Sequence, residues 1–201
     1  MYSPTHFKMT DKETMISVIK NHSFATVISQ VDGVPEATHL PLQINKEGTY
    51  LYGHFARPNP QWKSIRNQTV LAIFHGPHCY ISPSWYETNK AVPTWNYVTV
   101  HVHGEMILLD DETDIRDSLT NLIAAYEAED STYDVTELDA TYLKNMSKGI
   151  QAFKLKIERL EGKAKLSQNH SQERQALVRS QLKQSANSDE QQIAKWMEKT
   201  H

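Results

Sequence analysis

The order of apolar and polar residues predicts mostly strands in the first half of the chain. The apolar run at 24–29 is typical of a buried strand. Asp32-Gly33 follows, and because this pair accepts the positive φ angles of a type I′ turn, it predicts a hairpin whose second strand covers 34–44. Further strands are predicted over 49–55, 69–81 and 96–109, with a short helix over 61–66.

The second half of the chain is predicted to hold the longer helices. All eight prolines lie between Pro4 and Pro93, so nothing after them interrupts a helix. Apolar residues recur at helical spacing after Asp11, a candidate N-cap, and again in the second half, which predicts helices from 12, from about 112, over 138–146, over 171–184 and over 188–199. The last is predicted to open with a capping box from Ser188 to Gln191.

Six or seven strands with few helices predict a mainly β fold, an antiparallel barrel with peripheral helices packed outside it. The last strand is expected to begin near Phe153, to alternate apolar with charged residues, and to end at Gly162, where a basic loop leads into the closing helices.

Composition narrows the classes of function only slightly. A net charge of -3 gives no general case for nucleic-acid binding. The segment after Gly162 is mildly basic, with seven Lys or Arg against four Asp or Glu, so DNA contact through the C-terminal helices stays an alternative. Cys79 is the single cysteine, the N-terminus lacks the apolar region of a signal peptide, and no run could span a bilayer, so we expect a cytoplasmic protein with no membrane partner.

One candidate binding segment is Gly53-His-Phe-Ala-Arg-Pro-Asn-Pro-Gln-Trp62. A strand is expected to end here and a short helix to begin, a junction whose unpaired N–H groups favour an anion. Arg57 adds a guanidinium suited to phosphate, and Asn59 and Gln61 add amide donors. The alternative is an ordinary helix start with an exposed arginine.

A second candidate segment is rich in aromatic residues and proline and covers 76–97. Trp85, Tyr86 and Trp95 offer flat surfaces for a planar ligand, although aromatic residues in core or interface packing give the same composition. Beside the first segment, this loop suggests a phosphorylated heteroaromatic ligand such as a nucleotide or flavin. His101 and His103 share a strand face, but Glu105 follows too closely for a cupin-type site, so we assign no metal.

Five long, ungapped segments resemble the PaiB family of FMN-binding negative transcriptional regulators, which in bacilli are linked to protease production and sporulation. They are the opening Met-Tyr-x-Pro-x-x-Phe, Gly53 to Trp62, Phe74 to Tyr86, Val92-Pro-Thr-Trp-Asn-Tyr97 and Gly162-Lys-Ala-Lys-Leu-Ser-Gln-Asn169. The resemblance runs from Met1 to about residue 183. It implies a split β-barrel that binds FMN and works as a homodimer, with a split-barrel domain over 1–162 and a C-terminal part over 163–201 packing on the barrel or on the dimer partner.

The resemblance also implies roles for individual residues. The FMN phosphate and ribityl end would be bound by His54, the Ala56 backbone, Arg57 and Asn59, with Trp62 supporting them. Trp95 and Asn96 would line the flavin ring, and Lys165 and Gln168 would close the site. A flavin-dependent reductase or oxidase using the same FMN site is the alternative function. No catalytic triad, nucleophile elbow, Walker or Gly-x-Gly-x-x-Gly pattern assigns a catalytic residue.

Overall fold

The computed structural model describes residues 1–88, 90–128, 130–133 and 138–199. The strands are β1 (Lys8–Met9), β2 (Phe24–Val31), β3 (Val34–Pro41), β4 (Gln43–Ile44), β5 (Tyr50–Ala56), β6 (Thr69–Ile81), β7 (Thr94–Leu108) and β8 (Ile150–Lys165). The α-helices are α1 (Lys12–Asn21), α2 (Glu112–Tyr126), α3 (Ala140–Lys148), α4 (Gln172–Gln184) and α5 (Ser188–Lys199). Short 3₁₀ turns cover Thr5–Phe7, Pro60–Lys63 and Pro83–Trp85.

The chain divides into two compact units, and each is described by itself. The first unit comprises Met1–Val18, His75–His101 and Glu161–His201. The second comprises Ile19–Phe74 and Val102–Leu160. Strands β6, β7 and β8 each supply residues to both units.

The second unit contains a curved antiparallel sheet. The strand order is β3-β2-β6-β7-β8-β5-β4, so β3 and β4 stand at the two ends of the order although only Leu42 separates them in the chain. A sheet whose two end strands meet at one residue must curl round on itself, and no pairing of β3 with β4 closes it among the described residues. This arrangement confirms the predicted mainly β, antiparallel split-barrel class with peripheral helices.

Most of the core of this unit is built from the inward faces of its strands, with helix α1 and two connecting segments adding Ile19, Leu42 and Ile65. Its fully buried large side chains include Ile19, Leu42, Leu51, Phe55, Ile65, Phe74, Met106, Phe153 and Leu155. The Phe55 and Phe153 ring centroids lie 5.0 Å apart. Burying one such side chain contributes about 1.5–3 kcal/mol, so these residues supply the main driving force for folding.

The first unit has its own core beneath the two closing helices. Val178 and Leu182 of α4 and Ile193 and Met197 of α5 are almost completely buried. Strand β1 pairs with the end of β8, with Lys8 opposite Lys163 and Met9 opposite Gly162. A Cβ on Gly162 would come within 2.8 Å of the Met9 and Met15 side chains, so only glycine fits there without repacking.

Most predicted elements are confirmed within two residues, and three details differ. The predicted strand over 34–44 breaks at Leu42, whose N–H donates to the Ser23 carbonyl. Strand β8 begins earlier than predicted and continues past Gly162 to Lys165, because β1 pairs with it there, so Lys163 and Lys165 belong to a strand and the predicted basic loop is wrong. The predicted helix over 61–66 is a 3₁₀ turn over Pro60–Lys63.

The caps agree with the predictions at one end of the chain and differ at the other. Asp11 accepts the Thr14 N–H at 2.7 Å, as expected of an N-cap. At α5 the acceptor is the Asn187 side chain, which takes the Asp189 N–H at 2.8 Å, so the predicted Ser188 cap is wrong. Among the described residues, no helix is long and apolar enough to cross a membrane. The domain boundary after residue 162 stays a prediction.

Candidate functional site

The nine predicted binding residues fall into two sets, one in each unit. The second unit holds His54, Ala56, Arg57, Asn59 and Trp62. The first unit holds Trp95, Asn96, Lys165 and Gln168. Each set is described within its own unit.

Arg57 follows the end of β5 and has an exposed guanidinium that is held on two sides. Its Nη1 donates to Gln151 Oε1 at 2.7 Å. Its guanidinium carbon lies 5.2 Å from the centroid of the Trp62 ring, and the Trp62 indole Nε1 donates to the Arg57 carbonyl at 3.0 Å. Because one contact fixes the head of the side chain and the other fixes its backbone, Arg57 is positioned before any ligand arrives.

Gln151 is itself held in a single orientation. Its side chain is buried, and its Nε2 donates to the Leu109 carbonyl at 3.0 Å and to the Ala152 carbonyl at 3.1 Å. Two carbonyl acceptors fix the amide nitrogen, so the amide oxygen must face Arg57. Sequence analysis missed this residue. A signal was available, because Gln151 lies two and four residues before the inward-facing Phe153 and Leu155 and so shares their face of the strand. A polar side chain buried on that face needs a hydrogen-bond partner.

Asn59 is fixed by the turn it caps. Its Oδ1 accepts the Gln61 N–H at 2.9 Å, and its Nδ2 donates to Thr38 Oγ1 at 2.8 Å. Thr38 in turn donates to Gln61 Oε1, and the Gln61 Nε2 donates to Ser29 Oγ at 2.9 Å. Gln61 is buried, so its amide serves this internal network and is not presented to a ligand as expected. The 3₁₀ turn has four residues and contributes no helix-dipole site.

His54 lies on the other face of β5 from the side chain that Arg57 contacts. Phe55 pairs with Gln151 across the sheet and His54 pairs with Ala152, and neighbouring residues of a strand point to opposite faces. Partial burial lowers the pKa of His54, so its imidazole is neutral near pH 7. Ala56 is exposed at the end of the same strand. His54 and the Gln151 contact of Arg57, both of which concern residues expected at the FMN phosphate and ribityl end, therefore lie on opposite faces of the sheet.

In the first unit, Lys165 is tied to the start of β7. Its Nζ donates to Thr94 Oγ1 and to the Trp95 carbonyl, both at 2.6 Å. Burial lowers the pKa of Lys165, and the charge of Lys163 adds to the effect. Lys165 thereby fixes the backbone of Trp95.

Asn96 and Gln168 also hold the architecture of the first unit. The buried Asn96 donates from Nδ2 to Ser167 Oγ at 3.0 Å. Gln168 Oε1 accepts the Leu166 N–H, and its Nε2 donates to the Ala164 carbonyl, each at 2.7 Å. Ser167, at φ 67°, makes the left-handed turn that brings these groups together. The roles of Asn96 and Gln168 toward a flavin stay predictions.

Trp95 presents the most available aromatic surface of this set. Its side chain is 53% exposed, so a planar ligand or a second chain has access to the indole ring. His78 and Tyr80 lie beside it, with ring centroids 6.2 and 6.1 Å away. Cys79, between those two residues, is buried, and burial raises its pKa to about 12, so its thiol stays protonated near pH 7.

Comparisons with known proteins agree with this picture. A family model described as "Putative FMN-binding domain" matches residues 1–159. The chain is 39% identical to the protease synthase and sporulation protein PAI 2 of Bacillus subtilis over 98% of its own length and 97% of that protein's. It is 27% identical to an uncharacterized protein of Emericella nidulans, over 68% of this chain and 70% of that one.

Two solved structures share the fold. A flavocytochrome from Azotobacter vinelandii superposes with a TM-score of 0.60 at 18% identity, covering 79% of this chain and 69% of that one. An FAD and heme binding protein from Mycobacterium smegmatis superposes with a TM-score of 0.55 at 14% identity, covering 79% and 73% of the two chains. At these identities the likeness concerns the fold alone.

Proposed function

The chain belongs to the FMN-binding domain family that the Bacillus subtilis protease synthase and sporulation protein represents, and on that basis we propose that it is a flavin-binding negative regulator of transcription that works as a homodimer. The observation that carries the proposal is the 39% identity with that protein over nearly the whole of both chains.

Arg57 is the residue we assign to the FMN phosphate. Its guanidinium is exposed, is oriented by Gln151 and Trp62, and presents several N–H donors in a planar fork that matches a phosphate. This donor set fits the group. Asn59 would act beside it, since its position is fixed by Thr38. His54 and the Ala56 backbone remain proposed ligands of the ribityl end.

Trp95 is the residue we assign to the flavin ring. Its exposed indole offers a stacking surface, while Lys165 holds its backbone and Asn96 and Gln168 hold the surrounding loop. When bound, FMN supplies a ring system that accepts and returns electrons. The neutral imidazole of His54 could act as a general base near pH 7. A flavin-dependent reductase or oxidase therefore remains the alternative function.

The homodimer is supported by exposed apolar side chains in the first unit. The side chains of Tyr2, Val92 and Trp95 are 85%, 78% and 53% exposed. Large apolar side chains this exposed favour burial against a second copy of the chain. DNA contact through the C-terminal helices is weakened as a proposal, because Arg174 pairs with Glu87 and Lys183 pairs with Glu198. We therefore propose that repression acts without the two helices binding phosphate directly.

A flavin titration with a matched control tests the phosphate assignment. Arg57→Ala removes a charged hydrogen-bonding group, so FMN affinity should fall about tenfold or more, whereas riboflavin affinity, which involves no phosphate, should not change. Lys63→Ala removes a neighbouring charge and should leave both affinities near those of the native protein. Equal losses for FMN and riboflavin in Arg57→Ala would refute the assignment.

Two further measurements separate the functions. Sedimentation velocity should give a dimer. A mobility-shift assay over a salt series should show no retained DNA, and binding that weakens steeply with salt would instead favour direct DNA contact. Reduced nicotinamide that bleaches the bound flavin within seconds would favour the reductase alternative over the regulator.

A further inference from the structure

A pocket of about 440 Å³ lies in the second unit between helix α2 and the outer side of strands β4, β5 and β8. The sheet side contributes Tyr52 and Lys154, and the buried Ile44 and Leu109 give it an apolar floor. None of these residues was predicted to bind a ligand. The volume lies within the ordinary range of small-molecule sites.

The helix presents polar residues to this pocket. Asp114, Asp117, Ser118 and Asn121 all line it, and their spacing of three, four and seven residues puts them on one face of α2. A helix face turned toward its own sheet is normally apolar, because burial of that face holds the helix in place. Among the residues of α2, none is buried. This polar face therefore does little to hold α2 in place and is available to a ligand.

Two opposite charges share the pocket without meeting. Asp114 stands on the helix wall and Lys154 on the sheet wall, and among the described residues neither enters an ion pair. Three further charges line the pocket: Asp117 Oδ1 lies 3.6 Å from Arg116 Nε, Glu47 accepts from Asn45 at 2.8 Å, and Lys46 is a second cation. The Lys154 ammonium lies 5.4 Å from the centroid of the Tyr50 ring.

We propose that this pocket binds a small zwitterion, such as a free amino acid, between Asp114 and Lys154. Asp114 would take the ammonium group, Lys154 would take the carboxylate, and the ligand side chain would lie on Ile44 and Leu109. Two charged walls separated by open space favour a ligand that bears both complementary charges, since either charge alone leaves one wall unsatisfied.

Tyr52 adds a hydrogen-bond donor to the same pocket. Burial raises the pKa of its phenol, and the nearby Tyr50, Asp114 and Glu47 raise it further, so Tyr52 keeps its proton at neutral pH.

Calorimetric titration of the full-length protein, saturated with FMN, tests the proposal. Each of the twenty amino acids is titrated singly at millimolar concentration, and any that binds is compared with the amine that lacks its carboxylate and the acid that lacks its ammonium group. For leucine these are 3-methylbutylamine and 4-methylpentanoate. At least one amino acid should bind, and about tenfold more tightly than either analogue.

Two variants that each remove one charge test the two walls separately. Each should lose selectivity against a different analogue, a pattern that a loss of folding would not produce. Asp114→Asn should weaken the amino acid about tenfold and abolish its advantage over the acid analogue, whereas Lys154→Gln should abolish its advantage over the amine. Lys156→Gln, two residues along β8 and outside the pocket lining, should behave like the native protein. The proposal fails if no amino acid binds, if both variants bind as the native protein does, or if the amino acid displaces the bound FMN, which would make the pocket part of the flavin site.

Discussion

The Arg57 guanidinium donates to the amide oxygen of Gln151 at 2.7 Å, and Gln151 has no freedom to turn away because its amide nitrogen is held by two backbone carbonyls. The partners are 94 residues apart in the chain and meet because β5 pairs with β8. A buried side chain thus sets the direction of an exposed cation. Gln151 is a positioning residue for the proposed phosphate site.

Gln151→Glu tests this relationship through ligand preference. The new carboxylate still accepts from Arg57, but it neutralises the guanidinium and so competes with a phosphate. It also leaves the Leu109 and Ala152 carbonyls without their donor, so this variant should lose stability as well. We expect FMN affinity to fall about tenfold with riboflavin affinity unchanged, measured by fluorescence titration. Gln151→Leu should lower FMN affinity less but cost about 1–3 kcal/mol of unfolding free energy, because the Leu109 and Ala152 carbonyls lose their donor. An unaltered ratio of FMN to riboflavin affinity in both variants would exclude the positioning role.

The N-terminal cap of α5 can be tested by substituting two adjacent residues, of which only one accepts the capping hydrogen bond. Asn187 accepts the Asp189 N–H, whereas Ser188 lies within the helix. Asn187→Ala should therefore lower the unfolding free energy by about 1 kcal/mol, a shift of about 2–4 °C in Tm for a chain of this size. Ser188→Ala should change Tm by much less. Thermal unfolding followed by circular dichroism measures both, and a larger effect at Ser188 would contradict the cap described.

The sequence correctly predicted the strands and turns that depend only on residues close together in the chain. Strand β6 covers the predicted 69–81, and Asp32 and Gly33 make the expected turn with φ angles of 52° and 81°. What sequence reasoning missed depends on partners far along the chain. Strand β8 passes Gly162 because Lys8 pairs with Lys163, and no feature near Gly162 signals that pairing.

The candidate site divides in the same way. Arg57 and Trp62 lie in one turn, so their proximity was predictable from spacing alone. Gln151 reaches Arg57 only through the pairing of β5 with β8, which fixes register and face together. Thr38 reaches Asn59 from β3, a strand that stands at one end of the sheet order and, among the described residues, does not pair with β5. The opposite placement of His54 follows from strand alternation.

Gly104 marks a close approach of two strands inside the second unit. A Cβ at this position would lie 2.1 Å from the Lys156 backbone carbonyl oxygen, a contact that no side-chain movement relieves. Gly104→Ala should therefore cost more than about 3 kcal/mol or prevent folding, as judged by denaturant unfolding. Gly149→Ala is the matched control, since its nearest neighbour would be 3.4 Å away and its φ of -77° suits alanine. Similar stabilities for the two variants would show that β7 and β8 are not packed this closely.

The lowered pKa of His54 makes a prediction about stability at mildly acidic pH. Burial favours the neutral imidazole in the folded chain, while the unfolded chain titrates near about 6.5. The unfolded state therefore binds more protons below that pH, so the contribution of His54 is fully present above about pH 6.5 and is lost as the pH falls through the lower folded-state pKa. Tm should decline between pH 7 and pH 5, and the decline should be shallower in His54→Gln. At pH 8 the imidazole is neutral in both the folded and the unfolded state, so the difference in Tm between the two proteins at that pH measures only the packing cost of the substitution. If Tm falls equally steeply with pH in both proteins between pH 7 and pH 5, His54 is not a source of the acid sensitivity.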